Sequence, residues 1–311
     1  MIQGINADSF STATEGGEAE TESAKAASAT LVDAHVHLHP SFEVTEFLRS
    51  SAANFEQAAA RLGLPNGTAG CLLLTESFGT DRFAELRSRC GSCEGEWSYD
   101  STMDESAIIA RRIAARDTSI ESDGKQQTTI TVIAGRQIAT QERLEVLALG
   151  TREVIGDGQS INSVIEQVLA SGALCVLPWG FGKWTGRRGT LIRKILDSPL
   201  QEQLYLGDNA GRLNFAPSPP ILKSYESKGV PILPGTDPFP FPDQVSVSGR
   251  YGFVLETSLG DKTPVKQLTT FLGDHRVQPR VYGRLETLGA FLRKQTLIHF
   301  SRRGLTEVCA S

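Results

Sequence analysis

Residues 31–40 read LVDAHVHLHP, an apolar run with a polar residue at every second position: Asp33, His35, His37 and His39. A strand sends alternate side chains to one face, so these four groups are expected to point the same way at the carboxyl end of a buried strand. Two imidazoles placed like this are natural ligands for a divalent metal. The chain has five histidines and three lie here, which makes this stretch its strongest chemical signal.

The bulk composition sets limits on the class of protein. A chain of 311 residues has room for one large domain or two small ones. Its net charge of -5 argues against nucleic-acid binding driven by bulk charge, and no apolar run approaches the ~20 residues that span a bilayer. The acidic, apolar-poor beginning predicts a disordered leader over 1–30 before a single domain over 31–311. Five cysteines, an odd number, indicate reduced thiols in a cytoplasmic protein.

Short apolar segments alternate with segments of helical spacing. After the first strand, further strands are predicted at 69–74, 128–134, 144–149, 173–177, 203–206 and 230–233. Helices are predicted at 53–62, 105–115, 162–170, 190–196, 220–228, 264–272 and 284–294. Continuous apolar strands between helices indicate a parallel sheet covered on both faces. Six or seven such units fit a (β/α) barrel better than an open sheet.

Polar residues follow the predicted strands, and in a barrel such residues gather at one mouth. They are His35, His37, Glu76, Gln137, Glu145, Trp179, Asp208, Asn209 and Asp237. Carboxylates and imidazoles brought together at one mouth are typical of a metal site. Asp and Asn also cap helices and form turns, so no single member of the set decides the matter.

A second cluster, WGFGKWTGRRG at 179–189, combines a glycine-rich backbone with Lys183, Arg187 and Arg188 ahead of a predicted helix. Free backbone N–H groups and guanidinium forks at a helix start favour an anionic ligand. A solvated basic loop explains the same residues equally well. The predicted substrate-binding residues are Trp179, Lys183, Arg187, Asn209 and Arg212.

The order of these motifs resembles the polymerase and histidinol phosphatase (PHP) superfamily over roughly residues 31–300. DAHVH matches the opening D-x-H-x-H of that family. AGCLLLTES stands where the family has Thr-Asp-His, and VIAGRQIATQERLEVLALG stands where it has Gly-x-Glu and His-x-Leu-Gly. Further along the chain, ASGALCVLPWG stands in the place of His-Pro, and PGTDP in the place of Gly-Ser-Asp-Ala-His. The resemblance implies a distorted (β/α)7 barrel with up to three metals.

Only His35, His37 and Asp237 carry over unchanged from the family pattern. Glu76, Ser77, Gln137 and Glu145 stand where the family has Asp, His, Glu and His. The resemblance therefore implies one divalent ion (Zn, Mn or Mg) rather than a trinuclear cluster. Its expected ligands are His35, His37 and Asp237, with Glu76 and Glu145 as replacements, and Asp237 or Asp208 is the expected catalytic base.

The resulting functional hypothesis is a metal-dependent hydrolase, specifically a phosphoesterase acting on a small anionic substrate. Neither nucleic acid nor membrane is expected as a partner, and the oligomeric state stays open. One alternative is a catalytically degenerate PHP-like domain that binds a ligand or acts as a scaffold. Another is an amidohydrolase-type deaminase or lactonase, since that superfamily also has H-x-H on its first strand, but this chain has no histidine between His39 and His275.

Overall fold

The computed structural model describes residues 29–113, 128–210, 212–213, 217–274, 278–285 and 289. Within these ranges the strands are β1 (Thr30–Val36), β2 (Ala69–Leu74), β3 (Cys93–Glu94), β4 (Trp97–Ser101), β5 (Ala107–Arg112), β6 (Thr129–Ile133), β7 (Gly135–Ala139), β8 (Glu145–Leu149), β9 (Leu174–Pro178), β10 (Leu204–Asn209), β11 (Ile232–Gly235), β12 (Tyr251–Leu255) and β13 (Arg280–Gly283). The helices are α1 (Val44–Leu62), α2 (Arg82–Ser88), α3 (Ile161–Ala170), α4 (Gly186–Leu196), α5 (Pro220–Glu226) and α6 (Pro264–Asp274).

The described strands form two sheets. One has eight strands in the order β13-β12-β1-β2-β6-β5-β4-β3, and the other has five in the order β11-β10-β9-β8-β7. The mixed α/β class predicted from the sequence is confirmed. The predicted distorted (β/α)7 barrel is not what these strands form, because they close no barrel. Several neighbours pair antiparallel (β1 with β12, β5 with β6, β7 with β8, β8 with β9), which a repeating (β/α) unit does not produce.

The two sheets meet at two edges through backbone hydrogen bonds. The N–H of Asp237, just after β11, donates to the carbonyl of His35 in β1 over 2.8 Å, and the N–H of Glu76, just after β2, donates to the carbonyl of Gly135 in β7 over 3.1 Å. Both meeting points lie where polar residues follow strands. A cluster of buried apolar side chains from both sheets fills the space between them, including Val32, Leu73, Leu147, Val176 and Leu233.

Helices cover the other faces of both sheets. Side chains of α1 pack on one buried face of the eight-stranded sheet, and side chains of α3, α4 and α5 pack on the five-stranded sheet. The longest helix, α1, begins at Val44, nine residues before the predicted start, because Glu43 accepts hydrogen bonds from the N–H groups of Thr45 and Glu46 and caps the first turn. No helix of the described ranges is both long and apolar enough to cross a membrane.

The helix predicted at 105–115 is wrong, since residues 107–112 form the strand β5. Its apolar run satisfies the helical spacing, but its side chains alternate between two buried clusters: Ile108 and Ala110 join the one that contains α1, and Ala107 joins the one between the sheets. Residues 1–28 of the leader predicted over 1–30, and most of the helix predicted at 284–294, lie outside the described residues. Four cysteines of the described ranges carry free thiols: Cys71, Cys90, Cys93 and Cys175.

Candidate metal centre

The structure brings His35, His37 and Asp237 together where β1 and β11 meet. The Nε2 atoms of His35 and His37 lie 3.3 Å apart, and each lies 3.4 Å from Oδ1 of Asp237. An ion held tetrahedrally at about 2.0–2.1 Å by nitrogen and oxygen atoms keeps those atoms about 3.3–3.4 Å apart. The three ligand atoms thus form one face of a coordination tetrahedron of the right size. Among the described residues this is the one group of three or more His, Cys, Asp or Glu with such spacing.

Irregular backbone aims these three side chains at one point. The pairing of β1 with β2 shifts register between Asp33 and Val36, and such a bulge re-aims the side chains that follow it. Asp237 has a φ of 49°, in the left-handed region that few residues other than glycine adopt. Strained backbone of this kind is concentrated at functional sites. Both irregularities therefore fall on the stretches that carry the three candidate ligands.

Two amides fix the orientation of the site. Nδ2 of Asn209 donates to Oδ2 of Asp237 over 3.0 Å and to the carbonyl of Trp179 over 3.3 Å, which leaves Oδ1 of Asp237 facing the imidazoles. Oε1 of Gln137 lies 3.0 Å from Nε2 of His35. This neutral oxygen therefore lies beside one of the three candidate ligands. The sequence placed Gln137 among the polar residues expected near the site, and as the replacement of a family glutamate, but not among the expected ligands.

Asp33 is a supporting residue that the sequence analysis did not assign to the site. It is fully buried, and its carboxylate accepts hydrogen bonds from the N–H and hydroxyl of Thr236 and from the N–H of Gly249. Thr236 directly precedes Asp237, so Asp33 ties the loop that carries this ligand to β1. The sequence did contain a signal for this role. Asp33 is the first residue of D-x-H-x-H, and a carboxylate in a buried strand needs hydrogen-bond donors around it.

The third histidine of the motif also positions the loop after β11. Nε2 of His39 lies 2.8 Å from the carbonyl of Pro238, and its ring stacks on that of His37 at a centroid distance of 5.3 Å. Its hydrogen bond restrains the residue next to Asp237, and its ring restrains the orientation of His37. His39 is therefore placed to support two of the three ligand residues.

The electrostatics of the centre suit a cation. Burial lowers the pKa of His35, and this effect outweighs the opposing charge of Asp237, so the imidazole is held in its neutral, ligating form. Burial raises the pKa of Asp237, but its electrostatic interactions with the two imidazoles and its hydrogen bond with His37 outweigh burial and lower that pKa well below its usual range. Burial raises the pKa of Asp33 to about 7.

The two acids expected as replacement ligands have other partners. Oε1 of Glu76 accepts from the N–H groups of Arg82 and Phe83 and caps α2. Glu145 forms an ion pair with Lys183. This pair still lies close enough for Glu145 to raise the pKa of His35 and for Lys183 to lower that of Asp237.

The remaining predicted site residues have different environments. Asp208 is buried and forms a two-pronged ion pair with Arg212, and it also accepts from the hydroxyl of Tyr251 over 2.8 Å. The side chain of Arg187 is exposed near the start of α4, whereas the guanidinium of Arg188 donates to the carbonyls of Arg143 and Gly182. Trp179 is half-buried and packs against the cluster beneath α4.

No family model and no curated protein matches the chain. Solved structures that are similar to it include the following three. PsfC from Pseudomonas syringae PB-5123 is 14% identical over 89% of this chain and 99% of that chain, with a TM-score of 0.42. PfuEndoQ from Pyrococcus furiosus, described as a novel lesion-specific endonuclease, is 12% identical over 81% of this chain, with a TM-score of 0.45. A complex of Endonuclease Q with a 27-mer duplex substrate is 14% identical over 79% of this chain, with a TM-score of 0.45. This chain spans 57% of each of the two endonuclease chains.

The expectation that nucleic acid is not a partner is contradicted by this comparison, because the similar Endonuclease Q structure holds a duplex with an abasic lesion at its active site. The expectation failed because it rested on the net charge of the whole chain. A net charge of -5 describes the whole surface, whereas nucleic acid contacts only a local one. The resemblance to the PHP superfamily stays a prediction from the motifs.

Proposed function

We propose that the chain is a metal-dependent hydrolase of phosphoesters that holds one divalent cation between His35, His37 and Asp237. The triangle of ligand atoms with edges of 3.3, 3.4 and 3.4 Å carries the proposal. Three protein ligands with a further position open are typical of catalytic rather than structural sites. Two imidazoles favour Zn, and the carboxylate also admits Mn. The bound cation would supply Lewis-acid catalysis of hydrolysis.

The residues around this triangle have distinct proposed roles. Asn209 holds Asp237 in its ligating orientation, and Gln137 offers a neutral oxygen beside His35. The side chain of Lys183 is 39% exposed, so it remains accessible to an anion while it pairs with Glu145. Together with the exposed Arg187 it would attract the phosphoryl group. The partners of Asp208 indicate a structural acid rather than a free base.

The side chain of Asp237 is 26% exposed, whereas those of His35 and His37 are 5% and 9% exposed. A substrate would therefore approach from the side of the carboxylate, whose charge Lys183 is close enough to influence. We propose a small phosphorylated compound as substrate, and the assay below includes phosphodiesters as well as phosphomonoesters.

Metal analysis combined with turnover tests the proposal. We expect wild-type protein loaded with Zn or Mn to retain about one ion, and His35→Ala and Asp237→Asn to retain none. Asp197→Asn, which removes an exposed carboxylate paired with Lys228, is the control and should retain the ion. Hydrolysis of p-nitrophenyl phosphate or bis-p-nitrophenyl phosphate should disappear with chelator. Absence of bound metal under every loading condition contradicts the proposal.

A degenerate domain without catalysis is the second candidate, favoured by one observation. The oxygen beside His35 belongs to the neutral amide of Gln137, where the family resemblance implies a glutamate. One fewer negative charge weakens both metal binding and the activation of a nucleophile. Stoichiometric metal with no turnover of either ester class would support this candidate over the hydrolase.

A further inference from the structure

A cavity of about 620 Å³ opens between α1, the loop before β12 and the end of β13. Its volume lies within the range of small-molecule sites, about 300–1,000 Å³. The charged residues that line it are Arg61, Arg250 and Arg284, and its apolar lining includes Ala58, Leu62, Val247 and Leu285. Among the described residues no acid lines it. The cavity therefore combines three positive charges with an apolar wall.

The guanidinium groups of this cavity have no carboxylate partners among the described residues. Arg250 makes only a 3.4 Å contact from Nη2 to the hydroxyl of Ser246, and no ion pair involves Arg61 or Arg284. Elsewhere on the surface some arginines are paired, as Arg49 is with two glutamates and Arg111 with two aspartates, whereas the exposed Arg187 has no ion pair among the described residues. Three exposed guanidiniums with no carboxylate partner in the described ranges surround one cavity whose described lining holds no acid, and this combination indicates a site for an anion.

Hydrogen bonds hold the walls of the cavity in place. Nδ2 of Asn54 in α1 donates to the carbonyls of Ser246 and Ser248, over 2.9 and 2.8 Å, and so fixes the loop that carries Val247 and Arg250. The inner wall includes Thr236, whose N–H and hydroxyl are held by the buried Asp33. A site with such walls is preformed, which lowers the cost of ordering it when a ligand binds.

We propose that this cavity binds a small organic phosphate. The guanidinium forks would take the phosphate oxygens in paired hydrogen bonds, and the organic part would lie against Leu62, Val247 and Leu285. The site is built from residues other than the candidate metal ligands, so this inference does not depend on the proposed hydrolase activity.

Calorimetric titration with inorganic phosphate and with phenyl phosphate tests the proposal on the full chain. Chelator is present throughout, so that phosphate bound through a metal does not contribute. We expect phenyl phosphate to bind at one site, at least fivefold more tightly than inorganic phosphate. The double variant Arg61→Gln/Arg284→Gln should weaken phenyl phosphate at least tenfold. Arg193→Gln, which removes an exposed arginine of α4, is the matched control and should change the affinity less than twofold.

A second variant separates the two halves of the site. Leu285→Gln keeps all three positive charges and makes the apolar wall polar, so it should bring phenyl phosphate toward the affinity of inorganic phosphate. Undiminished binding in the double arginine variant, or no binding of either phosphate by wild-type protein, overturns the proposal. Binding of a short single-stranded oligonucleotide that the arginine substitutions abolish, without binding of phenyl phosphate, overturns it in favour of a nucleic-acid surface. Equal urea midpoints of all variants verify that they fold.

Discussion

At the scale of single residues, one atom separates this centre from the glutamate that the motif resemblance implies. Oε1 of Gln137 lies 3.0 Å from Nε2 of His35, beside the proposed cation, but it carries no charge. A carboxylate at the same place would add one negative charge beside the cation. Gln137 therefore limits how strongly the centre binds a divalent ion.

For this reason Gln137→Glu should tighten the binding of Zn or Mn roughly tenfold, a gain that corresponds to about 1.4 kcal/mol. Competition with a chromogenic chelator measures the dissociation constant directly. Gln141→Glu makes the same charge change on an exposed turn and should leave the constant unaltered. An unchanged or weaker affinity in Gln137→Glu would show that this side chain does not face the ion.

Asn209 provides a second test at this scale. Asn209→Ala removes the donor that holds Oδ2 of Asp237, and loss of such a supporting contact typically weakens metal affinity about 10- to 100-fold. The same chelator competition measures it. Asn54→Ala is the control and should bind metal as wild-type protein does. It also removes an amide that donates to two carbonyls, but these belong to the loop before β12. If both variants bind metal as wild-type protein does, Asn209 has no orienting role.

At the scale of secondary-structure elements, the close approach of β11 to β1 positions the site. Gly235 ends β11, and a Cβ atom there would lie 2.2 Å from the backbone nitrogen of His35. Only glycine permits this distance, and it allows Asp237 to reach the imidazoles of the other sheet.

Gly235→Ala should therefore push β11 away from β1 and lower the free energy of unfolding by about 3 kcal/mol or more. Metal binding should be lost as well. Urea denaturation followed by circular dichroism gives the stability. Gly273→Ala in α6 meets no atom within 4 Å and should be neutral or stabilise by up to ~1 kcal/mol. Equal stabilities for the two variants would mean that the approach is not tight.

Asp33 also stabilises the approach of β11 to β1, through hydrogen bonds to the residues that follow β11. Asp33→Ala would remove the acceptor of buried donors in Thr236, Gly249 and His35, at a cost on the order of 3 kcal/mol. Asp33→Asn keeps one acceptor oxygen and should fall between the alanine variant and wild-type protein. The urea midpoint of each variant checks this order, and an alanine variant as stable as wild-type protein contradicts it.

The elements with a clear period were predictable from the sequence, and the ambiguous ones were not. The strands β1, β2 and β9 and the helices α3 and α6 follow their apolar patterns to within a few residues. The run IIARR gave no such guidance, because a short apolar stretch fits a helix and a buried strand equally well. Its assignment depends on pairing with β4 and β6, which no local pattern encodes.

At the scale of the whole molecule, the meeting of His35, His37 and Asp237 was expected from strand ends gathering at one edge. The partners of Glu76, Glu145 and Asp208 were not. A carboxylate that follows a strand can point either into the site or toward the next helix. The sequence alone does not determine which hydrogen-bond donor it reaches. The division into two sheets was missed because the antiparallel pairing of β7, β8 and β9 depends on the turns that connect them.

Metal binding should be visible in the stability of the entire chain. With free Zn at 100 times its dissociation constant, binding to the folded state alone adds about 2.7 kcal/mol, which raises Tm by roughly 5 °C. Chelator should reverse this rise in wild-type protein and have no effect on His37→Ala. Differential scanning calorimetry measures both. An identical response of the two proteins would place the ion elsewhere.

His35 lies in the eight-stranded sheet and His37 directly follows the same strand, whereas Asp237 follows a strand of the five-stranded sheet, so a cation between them would fasten the sheets to each other. Separation of the sheets and release of the ion would then be one event. The amide hydrogen of Asp237, which donates across this boundary to His35, is a natural reporter of that event. Its exchange with deuterium would slow once the fastening ion is added, while amides inside α3 kept their rates.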